Sequence, residues 1–393
     1  MKRYLRSLIL CLALPSALAA DESVDIFKQI YAQASTYKQK HFALSVLAES
    51  KDPVVAFLIE GSLRELVAAD RSALQGAERE YYEALLLLDV TSLGRFLHAE
   101  SQDDLMAVAK GDFPVNSRAE AIVALGRMRA VAYVGPISAL LDSINKNPGA
   151  DRTVDEVLAT AAIASLGKMG HIDGWKPVFY ASQGWYPSKI RLVADEVLPQ
   201  MVDDPSSAVA DVLANDPIAL KHAALKQENR SKAPRERKIG VSLMALKAGM
   251  EAKGATNAEK NAYWSLRSLA MQTLVNLQDG SLDAVEACKQ LWALAELDEK
   301  LLILTVYGAN KRNEAAVELN AILLDYNRQR AEAGSAAGSG DVLERLAKAA
   351  IQNAGKAQNP KAIPGIKAVR ENQRWSAGVL LAAEEALKEI SGQ

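Results

Sequence analysis

The stretch VALGRM at 123–128 returns as ASLGKM at 164–169, and this recurrence restricts the fold more than any other feature of the 393-residue chain. Taking Arg118 as position zero places Ala121 at +3, Ala124 at +6, Leu125 at +7, Gly126 at +8 and Met128 at +10. A copy counted from Ala159 places Ala162, Ser165, Leu166, Gly167 and Met169 at the same offsets. Copies from Arg191 (Ala194, Val197, Leu198, Pro199, Met201) and Arg267 (Ala270, Thr273, Leu274, Val275, Leu277) follow. Offsets 0, 3, 7 and 10 lie on one helical face. Small Ala at +3 admits a neighbouring helix, and Leu at +7 with Met or Leu at +10 fills its groove. Gly or Pro at +8 is expected to mark the turn that ends the regular packing. A fainter SLGRF at 92–96 precedes the first copy. Repeat intervals of a few tens of residues predict stacked helical hairpins.

The rest of the chain agrees with a helical reading. Amphipathic segments alternate with turn signals such as SKDP at 50–53, NKNPGA at 145–150 and DDPSS at 203–207, and no strand-like alternation is sustained. Aromatic residues make up only 6% of the chain, which favours helices over strands. At the C-terminus, NPKAIPGIKAVRENQRWSAGVLLAAEEALKEI resembles a unit of the HEAT-like (PBS-lyase-type) helical repeat superfamily. Pro360, Ala362, Ile363, Pro364 and Ile366 match that family's outer helix, and Ala383, Ala386, Leu387 and Ile390 its inner helix. The resemblance implies an all-α, right-handed α-solenoid of HEAT-like hairpins with an irregular helical N-terminal part. The expected organisation is an irregular helical region over 21–112, a repeat array over 113–330, a Gly/Ser-rich loop or linker over 331–340 and C-terminal repeats over 341–393.

The first 20 residues form a basic, apolar and small-residue series, MKRYLRS, LILCLALP and SALAA, which predicts a secretory signal cleaved near Ala19–Ala20. The expected location is therefore periplasmic or extracellular. Loss of Lys2, Arg3 and Arg6 leaves 43 basic against 48 acidic residues, a balance that implies no nucleic-acid partner. Cys288 is then the single thiol, so packing rather than a disulfide must hold the fold; its apolar context predicts a core residue.

Chemistry-bearing patterns are sparse. His41, His98, His171 and His222 lack local metal-ligand spacing and read as surface or turn residues, and no phosphate loop, dinucleotide fingerprint or nucleophile elbow occurs. Neither a metal nor a cofactor is expected. Adjacent acids such as Asp103 and Asp104 diverge by about 100° on a helix and read as a solvated face. Two stretches invite a binding role. Trp175, Phe179, Tyr180, Trp185 and Tyr186 cluster within 175–186, either as rings packed between repeats or as a partner contact. Lys221, Lys226, Arg230, Lys232, Arg235, Arg237 and Lys238 form a basic run, either a solubilising turn or a patch for an anionic membrane or wall polymer. The expectation is a non-enzymatic scaffold binding a protein partner in the cell envelope. A membrane- or polymer-binding module and a lyase-like enzyme on the same scaffold are the alternatives.

Overall fold

The computed structural model describes residues 24–50, 52–250, 256–332 and 342–392, which are helical with no strand among them. The expected signal segment over 1–20 lies outside the described residues, as does most of the Gly/Ser stretch; Ala331 and Glu332 belong to a helix. No helix among the described residues is long and apolar enough to cross a membrane. The chain divides between Val202 and Asp203 into two compact units, a boundary that falls inside the expected 113–330 array.

The first unit contains α1 (24–33), α2 (Tyr37–Leu47), α3 (Pro53–Ala68), α4 (Gly76–Phe96), α5 (Gln102–Lys110), α6 (Val115–Arg127), α7 (Val134–Lys146), α8 (Arg152–Met169), α9 (Trp175–Gln183) and α10 (Ser188–Met201). Here α2 packs on α4, α4 on α6, α6 on α8 and α8 on α10, while α3 meets α5 and α7 meets α9. The second unit contains α11 (Ser206–Asn215), α12 (Ile218–Arg230), α13 (Arg235–Met250), α14 (Asn257–Asn276), α15 (Leu282–Trp292), α16 (Leu297–Asn310), α17 (Asn313–Glu332), α18 (Val342–Ala357), α19 (Ile363–Glu371) and α20 (Ala377–Ser391). Its even-numbered helices again pack in succession from α12 to α20, and its odd-numbered ones from α11 to α19.

The sequence register maps onto the even-numbered helices. Ala121, Ala162, Ala194 and Ala270 at +3 are fully buried, as are Leu125, Leu166 and Leu198 at +7, with Leu274 at 1% exposure. The expectation for +8 is corrected: Gly126 and Gly167 lie inside α6 and α8, and Pro199 lies inside α10, which continues to Met201. Pro lacks an N–H for the helical ladder but is accommodated in this last turn. The +8 glycine instead marks the closest approach to the +6 residue of the next even-numbered helix. A Cβ on Gly126 would lie 2.7 Å from the Ser165 Cα, and one on Gly167 2.6 Å from a Val197 methyl. Gly94 against Ala124, Gly308 against Asn353 and Gly355 against Ala386 repeat the same pairing. The Ser165 hydroxyl uses this proximity to donate to the Ile122 carbonyl at 2.8 Å.

The turn itself comes at +11, in left-handed conformation. Leu97, Arg129, Gly170, Gln278, Lys311 and Gln358 have φ between 50° and 66°. Amides of His98, Ala130 and Asp279 bond back to the carbonyls of Leu93, Leu125 and Leu274 at 3.2, 3.1 and 2.9 Å, the six-to-one bond of a Schellman C-cap. Short 3₁₀ turns at Ala99–Ser101, Val131–Tyr133, Ile172–Gly174 and Pro360–Ala362 follow at one common offset and lead into the next odd-numbered helix.

Candidate functional site

The two stretches singled out by sequence are largely absorbed by packing. Trp175 and Phe179 on α9 are fully buried and stack at 5.1 Å, and Tyr186 is 2% exposed, so these three rings offer no surface to a partner. Apolar area removed from water on this scale stabilises the fold itself. Trp185 and Tyr180 are half-buried. The Trp185 indole N–H donates to the Ile144 carbonyl at 3.3 Å, Arg152 stacks 4.3 Å above its ring, and the Tyr186 hydroxyl donates to Asn145 Oδ1 at 2.8 Å. The partner-contact expectation for Trp175, Phe179 and Tyr186 is thus replaced by a core role joining α7, α9 and the start of α10.

The basic run spans most of α12 and the start of α13, and most of its charge is spent locally. Lys238 donates to the Asn229 and Ser231 carbonyls at 3.2 and 2.7 Å, while Arg235 donates to the Leu277 and Gln278 carbonyls, both at 2.9 Å. Each therefore satisfies carbonyls at the end of a helix, where a cation also meets the negative end of the dipole. Lys232 lies 3.3 Å from Asp203 and Arg237 3.8 Å from Asp204. Arg230 bonds Gln227 at 3.3 Å; Lys226 is exposed and Lys221 half-buried. Beneath the run lies Glu228, fully buried, its carboxyl raised above the ordinary range by burial. The Ser206 oxygen is 2.7 Å from Glu228 Oε1 and 2.5 Å from Asp204 Oδ1. The Ser206 hydroxyl is placed to donate to either carboxylate, and Glu228 Oε2 has no hydrogen-bond partner among the described residues.

Two buried acidic positions on α3 and α4 escaped the sequence reading. Asp89 takes the place that Ala holds at +3 in other copies; it is fully buried, and among the described residues neither carboxylate oxygen meets hydrogen-bond geometry, with the Ser62 hydroxyl the near polar group that favours its charged form. Burial pushes its carboxyl well above the ordinary value. Glu60 and His98, both nearly buried, meet at 3.0 Å, with Arg64 bridging Glu60 and Asp104 at 2.5 and 2.9 Å. His98 is thus a buried turn residue rather than a surface one. Cys288 is buried, and burial pushes its thiol up to about 12. Among the described residues no three of His, Cys, Asp and Glu converge as metal ligands would.

The position that best combines access and charge is a recess of about 750 Å³ at the C-terminal ends of α4, α6 and α8. Gly94 and Gly126 form its floor, and Arg95, Arg127, Arg129 and Lys168, all exposed, stand around it. Arg95 pairs with Glu49 at 3.1 Å and Arg127 with Glu120 at 2.8 Å. The Arg129 and Lys168 side chains make no hydrogen bond or ion pair among the described residues. Arg95, Arg127 and Lys168 occupy the same offset, +9, so the repeat that buries Leu at +7 brings cations from three helices to one recess. The Arg-to-Lys exchange between VALGRM and ASLGKM preserves that charge. Compared with known proteins, the chain matches no family model and no curated protein.

Proposed function

We propose that this protein is an exported α-solenoid that serves as a non-enzymatic scaffold, binding protein partners in the cell envelope. The single observation that carries the reading is the recurring unit of helix, left-handed turn and odd-numbered helix, in which even-numbered helices pack in succession within each of the two compact units. Such units bury a continuous core through nearest-neighbour contacts and leave extended surfaces on which a partner can lie. The aromatic cluster and much of the basic run serve packing and helix ends, which directs partner binding to other surfaces. The basic signal-like leader and its small-residue end support export.

Two measurements test this reading. Cell fractionation with N-terminal sequencing is expected to recover the chain outside the cytoplasm, beginning at Ala20 or Asp21. Photo-crosslinking in intact cells from surface positions on the even-numbered helices is expected to capture a discrete protein partner. A full-length cytoplasmic chain, or crosslinks that never exceed those of a denatured control, would overturn it.

A further inference from the structure

We propose that the recess across the C-terminal ends of α4, α6 and α8 binds an acidic, extended peptide segment of a partner protein. This rests on the scaffold reading and names the surface and the chemistry of what it takes.

Four exposed cations surround the recess, whereas the whole chain carries 46 basic against 48 acidic residues, so the charge is a local concentration. Arg129 and Lys168 are the important pair, because their side chains have no partner among the described residues. Cations at a helix C-terminus gain from the dipole, which accounts for some basic residues at these ends. It does not account for Arg129, which lies past the end of α6 in left-handed backbone (φ 50°), a conformation that favours Gly.

The spacing suits an extended chain. Packed helices lie about 8–10 Å apart, and a peptide in the extended polyproline II conformation advances about 3.1 Å per residue with three residues per turn, so acidic side chains at every third residue share one face and meet one cation per helix. Glycine contacts such as Gly94 on Ala124 hold these helices close together. Leu97, 57% exposed in its left-handed turn, stands beside the cations and offers an apolar contact. An acidic peptide with an aliphatic side chain satisfies both surfaces. A phosphate polymer or lipid headgroup would use the cations alone.

The experiment measures binding of a fluorescein-labelled peptide of about a dozen residues, Glu at every third position with Leu between, to the purified mature chain. The Gln-for-Glu peptide, inorganic phosphate and vesicles rich in anionic lipid are run beside it. The Glu peptide is expected to bind at least about tenfold tighter than the Gln peptide, with affinity falling as salt rises. Arg129→Gln combined with Lys168→Gln is expected to lose about tenfold or more with at most a small drop in melting temperature, since neither side chain has a hydrogen-bond or ion-pair partner among the described residues and only Lys168, in the last turn of α8, gains from the helix dipole. Equal binding of the two peptides, or an unaffected double variant, overturns the proposal. Phosphate or vesicles that displace the peptide and depend more strongly on the same two residues also overturn it, assigning the recess to phosphate chemistry. In cells, a double variant that still crosslinks to the wild-type partner defeats this inference and leaves the scaffold reading intact. A wild-type chain with no captured partner defeats both.

Discussion

Individual residues in this chain are governed by how closely helices approach, and glycines separate the cases. Gly126→Ala would drive a Cβ to 2.7 Å from the Ser165 backbone, a contact that only displacement of α8 can relieve. We expect a loss of about 1–3 kcal/mol in urea denaturation. Gly240, inside α13, has nothing within 4 Å of an added Cβ, so Gly240→Ala is expected to gain about 0.5–1 kcal/mol in the same assay. Asp89 provides a pH signature. Its folded pKa is raised, so its contribution to stability is fully present below the unfolded carboxylate value near 3.8 and is lost as pH rises toward the folded value. The slope in that window approaches about 1.4 kcal/mol per pH unit. Asp89→Asn is expected to flatten the stability profile from about pH 4 upward and to raise stability at neutral pH; denaturant midpoints across pH would show it. None of this was legible at Asp89 itself, because DVTSLGRF places an ordinary acid on a helix and only the neighbouring helices decide that no water reaches it.

At the scale of the element, the recurring unit is held at both ends by backbone satisfaction. Arg118 and Arg267, the same offset in two copies, each donate to a carbonyl near the end of the preceding odd-numbered helix, Ala109 at 3.2 Å and Gly249 at 2.8 Å. Arg267 also meets the buried Glu299 at 2.5 Å, so Arg267→Ala strands a carboxylate and is expected to cost about 3–5 kcal/mol by thermal or urea unfolding. The left-handed turns carry a different expectation. Gln278→Gly relieves an unfavourable φ of 50°, and a gain of about 1 kcal/mol is expected from the same measurement. The Leu-Gly register revealed where even-numbered helices lie, but it assigned the turn to +8, three residues early. Glycine serves both turns and close approaches, and a sequence does not distinguish them; here Arg, Gln, Lys and Leu adopt five of the six left-handed turns at +11 and Gly170 the sixth, while Gly sits in the contact. The copy in α16 was missed because Tyr307 replaces Leu at +7, although Gly308 and Lys311 keep the contact and the turn.

For the molecule as a whole, stability built from neighbouring contacts predicts local rather than global failure. Gly126→Ala is expected to raise hydrogen exchange in α6 and α8 while leaving 256–332 as protected as in the wild type. Loss of protection throughout would show that the two units unfold together. The sequence by itself determined the helical class, the spacing of the packing helices and which of their faces is apolar, because periodicity and side-chain size are local properties. Only the tertiary structure decided what the remaining side chains do. It drew Trp175, Phe179 and Tyr186 into the core, committed Lys238 and Arg235 to helix ends, and gathered Arg95, Arg127, Arg129 and Lys168, spread over 74 positions of chain, around one recess. The physical reason is that exposure and convergence depend on distances across helices, which a one-dimensional pattern does not contain. The feature that announced the fold, Leu-Gly followed by Arg or Lys, therefore held two messages: packing in its first two residues, and in its third a charge whose use appeared only when three helices stood side by side.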